Sequence, residues 1–158
     1  MRYFLRLRSL IFLKNIYYKM KNLSILGSTG SIGRNALEIV AKFPERYTVK
    51  ALAAKNNTRL LARQVEKFAP ELAVVFDETR AVELKRMLSS GPKIEIMYGQ
   101  DGYRTAANHD SVDMVVTAVV GSAGLIPTIA AIEAGKSIAL ANKETLVMAG
   151  EIVVKRAE

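Results

Sequence analysis

The chain has 158 residues, half of them hydrophobic and about a quarter charged, which is the composition of one soluble globular domain and excludes disordered, collagenous and membrane-embedded classes. No cysteine and a single histidine exclude zinc clusters, thiol nucleophiles and disulfide scaffolds. The formal net charge of +8 invites a nucleic-acid or anionic-membrane reading, but Arg2, Arg6, Arg8, Lys14 and Lys19 fall in residues 1–19 with no acid, and the remainder is only mildly basic.

Residues 1–19 form a basic, aromatic leader whose apolar runs are too short to span a bilayer, which takes about 20 residues. Lys14 and Asn15 interrupt what would be a signal-peptide core, and no small-residue cleavage site follows. A transit or membrane-surface peptide, an RNA-binding arm and an upstream in-frame start before Met20 are the readings left. We expect the last, because a strand pattern begins almost at once after Met20. The fold is then assigned to residues 20–158, with neither nucleic acid nor membrane as a partner.

From Lys21 short β-rich runs alternate with amphipathic patterns, which predicts an α/β fold: a Rossmann-like, doubly wound, mainly parallel sheet with helices on both faces. Strands are expected at Leu23 to Leu26, Tyr47 to Ala53, Leu72 to Phe76, Ile94 to Tyr98, Met114 to Val119 and Ser137 to Leu140. Helices are expected at Ile32 to Lys42, Thr58 to Phe68, Ala81 to Leu88 and Leu125 to Ala134, where apolar residues recur at three-to-four spacing. The last carries Pro127 in its first turn and Gly135 as its stop. A further helix is expected to begin at Ala149 and to be cut by the end of the chain.

Between the first strand and first helix lies Gly27-Ser28-Thr29-Gly30-Ser31-Ile32-Gly33. Glycines at such a junction let the backbone turn tightly and approach a pyrophosphate, which then sits at the positive end of a helix. Ser28, Thr29 and Ser31 are expected to add hydroxyl donors. The spacing is G-x-x-G-x-x-G rather than G-x-G-x-x-G, so its strand-turn-helix context points to a phosphate more strongly than the pattern itself.

After the second strand, where an acid would bind the 2′-hydroxyl of NAD, the chain has Ala54-Lys55-Asn56-Asn57-Thr58-Arg59, with two cations and no acid. That favours a 2′-phosphate, hence NADP, and Asn57 or Thr58 can cap the following helix at the same time. The last strand runs into Ala141-Asn142-Lys143-Glu144-Thr145 at the strand ends where open α/β sheets hold ligands. Asn142, Lys143 and Glu144 are candidates there, either as ligand contacts or as a cap and a surface pair. The small residues of Val120-Gly121-Ser122-Ala123-Gly124 suit a cofactor wall on the same side. His109 reads as a surface imidazole rather than a catalytic base, and the acids at Asp77, Glu78, Glu83, Glu95, Asp101 and Asp110 form no metal-ligand pattern.

In MKNLSILGSTGSIG, ALAAKNNT and AVVGSAGLIPTIAAIEAGKSIALANKETLV, the chain from Met20 onward resembles the 1-deoxy-D-xylulose 5-phosphate reductoisomerases. The resemblance implies NADPH and a divalent cation (Mg, Mn or Co), and conversion of 1-deoxy-D-xylulose 5-phosphate to 2-C-methyl-D-erythritol 4-phosphate in the non-mevalonate route to isoprenoids. It implies that Thr29, Gly30, Ser31 and Ile32 contact the cofactor phosphates within the turn bounded by Gly27 and Gly33. Lys55, Asn56 and Asn57 would surround the 2′-phosphate, Asn142 and Glu144 would contact NADPH, and Lys143 would touch the sugar phosphate. It places the family's metal ligands and substrate-closing loop after the helix that begins near Ala149, so no metal or catalytic residue is expected in this chain, and the chain alone is expected to be inactive. The resemblance implies a homodimer and a pathway found in bacteria and plastids, of which the short leader favours the bacterial cytoplasm; a free-standing nucleotide-binding module is the alternative function.

Overall fold

The structure, a computed structural model, describes residues 19–141 and residue 150. In chain order the elements are β1 (Lys21–Leu26), α1 (Ser31–Lys42), β2 (Tyr47–Ala53), α2 (Thr58–Phe68), β3 (Leu72–Val75), α3 (Glu78–Met87), β4 (Glu95–Tyr98), α4 (Gly99–Asn108), β5 (Met114–Thr117), a short 3-10 turn (Gly121–Gly124), α5 (Leu125–Glu133) and β6 (Ser137–Leu140). The strands form one sheet in the order β4-β3-β2-β1-β5-β6, and each neighbouring pair is parallel. The order reverses between β1 and β5, which opens a crevice at the carboxyl ends of those two strands.

Alternation along the strands sends side chains into two layers. On one face Ile25, Val49, Leu52, Ala73 and Val75 pack under Leu37 and Val40 of α1, Leu61 and Val65 of α2 and Leu84 of α3. On the other, Leu26, Ala51, Ala53, Leu72, Val74 and Val115 meet Ala106 and Ala107 of α4 and Ala130 and Ala131 of α5. The helix side of the second layer is built of small residues, so α4 lies close to the sheet: a Cβ on Gly102 would come within 2.9 Å of the Val74 side chain.

Local chemistry sets the element ends. Asn57 caps α2 by accepting from the Leu60 N–H at 3.0 Å, and Asp77 caps α3 by accepting from the Arg80 N–H at 3.0 Å while pairing with the Arg80 guanidinium. α2 closes on Ala69 in the left-handed region, φ 45°, with Pro70 next. Asp113, just before β5, accepts from the Asn22 N–H at 2.9 Å and so ties the entrance of β5 to β1.

The doubly wound architecture agrees with the sequence reading, and every observed strand pair is parallel. Local expectations change at several element ends. The helix expected from Ala81 begins at Glu78, because Asp77 supplies an earlier cap. β3 ends at Val75 rather than Phe76, and β5 ends at Thr117 rather than Val119. α4 was not expected at all: it contains Gly99 and Gly102, poor helix formers, and presents small alanines instead of a large apolar stripe. The leader, 1–18, and most of the helix expected from Ala149 lie outside the described residues.

Candidate functional site

The glycine turn is built by packing at short range. Gly27 leaves β1 with φ +87°, and the N–H groups of Gly27 and Ser28 both donate to the Ala53 carbonyl at 2.8 and 2.9 Å, fixing the turn to the end of β2. A Cβ on Gly27 would stand 2.6 Å from the Ala118 carbonyl oxygen, so only a hydrogen fits against the loop leaving β5. Gly33, one turn into α1, comes so close to the turn that a Cβ would lie 2.2 Å from the Gly27 oxygen. Gly30 is different: its Cβ would meet only the Gly27 oxygen, at 3.4 Å.

These contacts aim the first turn of α1 at the crevice. Gly30 is its N-cap and has no side chain to satisfy the leading N–H groups, and the first turn holds no acid. The N–H groups of Ser31, Ile32 and Gly33 are therefore left without intrahelical partners at the positive end of the helix dipole. This is the electrostatic arrangement an anion requires.

Ser28 does not contribute a hydroxyl to that arrangement. It is fully buried; its Oγ donates to Gln64 Oε1 at 2.7 Å, and Gln64 Nε2 donates to the Ser28 carbonyl at 2.9 Å. The side chain expected to be a free donor instead locks the turn onto α2, leaving Thr29 and Ser31 as the hydroxyl candidates.

A cavity of about 470 Å³ opens at the carboxyl end of the sheet. Gly27, Thr29 and Gly30 form part of its lining, Lys55 and Phe76 stand on the β2–β3 side, and Val119, Val120, Ser122 and Ala123 on the β5 side. The loop expected to be a cofactor wall is thus on the cavity, with Val120 83% exposed. Gln100 and Tyr103 of α4 also reach it and were missed with their helix. Burial pushes the Tyr103 phenol up to about 12, so at neutral pH it remains a neutral donor.

The three residues expected around a 2′-phosphate divide. Lys55 turns to the main cavity, where its Nζ stands 5.3 Å over the Phe76 ring. Asn56 and Asn57 line a neighbouring shallow depression together with Arg59, Arg80 and one acid, Glu83. Arg80 was not singled out from sequence, being one cation among many on a helix whose start was misplaced. Asn57 also spends its side-chain oxygen on the α2 cap.

Asn142, Lys143 and Glu144 lie outside the described residues. β6 nonetheless lies beside β5 and ends at Leu140, so the chain leaves the sheet at its carboxyl end. His109 sits at the opposite end, near Glu71, which precedes β3; its Nδ1 accepts from the Ser111 N–H at 3.3 Å. Among the described residues no group of three or more His, Asp or Glu could hold a metal ion, and no helix is long and apolar enough to cross a membrane.

Comparison with known proteins bears on the same residues. The family model for 1-deoxy-D-xylulose 5-phosphate reductoisomerase matches residues 23–150. The reductoisomerases of Desulfosudis oleivorans and Geotalea daltonii are 55% and 56% identical over 135 residues, which is 85% of this chain and 35% of theirs. A crystal structure of the reductoisomerase in complex with magnesium superimposes with a TM-score of 0.85 at 39% identity, covering 88% of this chain and 35% of that one. The Zymomonas mobilis enzyme in complex with NADPH does so with a TM-score of 0.82 at 36% identity, covering 87% and 36%. The chain spans about 35% of the length of the curated relatives it matches. The breadth of the match across this chain, from the first strand to Gly150, decides the assignment: the chain belongs to the 1-deoxy-D-xylulose 5-phosphate reductoisomerase family.

Proposed function

We propose that this chain is the NADPH-binding part of a 1-deoxy-D-xylulose 5-phosphate reductoisomerase, with residues 20–158 as its cofactor domain. The observation that carries the reading is the uncapped, acid-free start of α1, packed by Gly27 and Gly33 against the switch point of the sheet. A pyrophosphate fits there because the features that would repel it are missing: a Cβ at Gly27, Gly30 or Gly33, an acid in the first turn, a side-chain cap on the free N–H groups. Gly27 and Gly33 shape the turn, while Thr29, Gly30, Ser31 and Ile32 supply the donors.

The bound nucleotide supplies a hydride to a carbonyl carbon. The chain's own residues hold and orient it. Lys55 on the main cavity, and Arg59 and Arg80 beside Asn56 and Asn57 in the depression, give the adenosine end cations suited to a 2′-phosphate, Glu83 being the one acid of that lining, and no acid follows β2 directly to bind a bare ribose diol. Val119 and Val120 border the other end of the cavity and give that end an apolar wall. Asn142 and Glu144, which follow β6 in the sequence, contact the nicotinamide half, and Lys143 pairs with an anionic oxygen of the sugar phosphate.

The activity of the whole enzyme, rearrangement and reduction of 1-deoxy-D-xylulose 5-phosphate, belongs to this proposal, as do a divalent cation (Mg, Mn or Co) held by residues other than these, a homodimer and a bacterial cytoplasmic setting. Related crystal structures in complex with NADPH and with magnesium support the cofactor pair. Calorimetric titration of the chain with NADPH and NADH tests the reading. Saturable binding with NADPH the tighter ligand is expected, and Lys55→Gln or Arg59→Gln should narrow the difference; equal affinities would remove the 2′-phosphate assignment.

A further inference from the structure

The side of the cavity over β3 carries a feature that phosphate binding does not use. Phe76 follows β3 directly and is 51% exposed, although a phenyl ring in water forfeits the burial that places most aromatic side chains in the core. Its backbone N–H donates to the Lys55 carbonyl at 3.3 Å, and the Lys55 ammonium lies over its ring. The ring is therefore held in a defined place on the cavity lining rather than trailing from the surface.

That place is measured by the sheet. β3 is separated from β1 by β2, so Phe76 stands two strand spacings, about 10 Å, across the sheet from the glycine turn. A pyrophosphate at the start of α1 with its ribose directed over β2 would deliver the base to β3. Lys55 occupies one side of the ring and leaves a π-face and an edge for a flat heteroaromatic partner. A purine suits such a surface, because base–aromatic stacking needs area and no particular hydrogen-bond pattern, and an adjacent cation strengthens it.

We propose that Phe76 is the stacking platform for the purine base of the dinucleotide, with Lys55 holding the ring and facing the base edge. The proposal rests on the cofactor reading above and adds the residue that recognises the adenine end. It makes Phe76 a determinant of affinity for the adenosine half alone.

The test uses the 158-residue chain and three probes: NADPH, adenosine 2′,5′-bisphosphate as the adenosine half, and reduced nicotinamide mononucleotide as the other half. Phe76→Ala is expected to weaken NADPH and the bisphosphate by about tenfold or more, the equivalent of one lost stacking contact, and to leave the mononucleotide unchanged. Phe76→Trp keeps a stacking face and, because the chain has no tryptophan, adds a single emitter whose fluorescence the bisphosphate should quench. Phe76→Ala binding both adenosine probes within twofold of the unaltered chain, or a Phe76→Trp emission indifferent to bound bisphosphate, would overturn the platform while leaving the cofactor reading intact. Failure of the unaltered chain to bind NADPH would overturn the cofactor reading and the platform with it.

Discussion

Ser28 and Gln64 hold each other by two reciprocal hydrogen bonds, hydroxyl to amide oxygen at 2.7 Å and amide nitrogen to carbonyl at 2.9 Å, across the boundary between the glycine turn and α2. Both are buried. Gln64 thereby satisfies polar groups of the turn that water cannot reach and fixes the turn's outward side toward the crevice. Gln64→Leu leaves the Ser28 hydroxyl and carbonyl buried without partners and is expected to cost on the order of 2–4 kcal/mol in chemical denaturation. Ser28→Ala, which keeps the bond to the carbonyl, should cost about half as much; equal stability of the two variants would refute the reciprocal arrangement.

The glycines of the turn are expected to rank by contact. Gly33→Ala drives a methyl into the Gly27 carbonyl, and Gly27→Ala adds a left-handed φ to a clash with the Ala118 carbonyl. Both should lower the melting temperature and weaken NADPH by more than about tenfold, since displacing donors by even an ångström is costly. Gly30→Ala has room at 3.4 Å and should retain most of the stability. Thermal melts and ligand titrations of the three variants check the order.

Ala69 closes α2 in the left-handed region, where a Cβ costs roughly 1 kcal/mol. Ala69→Gly relieves that strain and, after the extra backbone entropy of glycine in the unfolded chain, should stabilise the protein by about 0.5 kcal/mol. A denaturation midpoint that falls would contradict the strained assignment.

Two hydroxyls on the α4–α5 side of the sheet, Ser24 Oγ and Thr117 Oγ1, are buried without partners. Removing such groups restores no lost bond and relieves desolvation, so Ser24→Ala and Thr117→Val should leave stability unchanged or raise it by about 1 kcal/mol. A loss above about 1 kcal/mol in equilibrium denaturation would mean that one of them has a partner in solution.

Alkali provides a separate check on the cavity. The folded Tyr103 phenol is raised to about 12 from an ordinary value near 10, so the folded state holds its proton where the unfolded chain releases it. The associated stability is complete below about pH 10 and is lost as pH rises toward 12, on the order of 2–3 kcal/mol in all. Tyr103→Phe should lose less stability over that window than the parent, as followed by denaturation at stepped pH. At the acid end the Lys50 ammonium holds the Glu71 carboxyl below its usual range, so its contribution is present at neutral pH and is lost on acidification.

Much of this was legible in the sequence because the signals were local. Strong apolar periodicity gave β2, α2 and β6 their boundaries, and the spacing of Gly27, Gly30 and Gly33 gave the turn its place. What was not legible depended on tertiary contact. α4 carries its packing in alanines and Gly102, whose value appears only when Val74 is 2.9 Å from the missing methyl. Ser28 reads as a free donor until Gln64, thirty-six positions away in sequence, is found against it. Phe76 reads as the end of a strand until β3 stops one residue short and leaves its ring on the cavity.

The central claim, that a dinucleotide binds with its pyrophosphate at the start of α1, is tested most directly by following backbone amide resonances of the isotopically labelled chain during titration with NADPH. The account predicts saturable shifts concentrated at Thr29, Gly30, Ser31, Ile32 and Gly33, with a second set at Lys55 and Phe76. Shifts confined to other surfaces, or none at saturating NADPH, would contradict it.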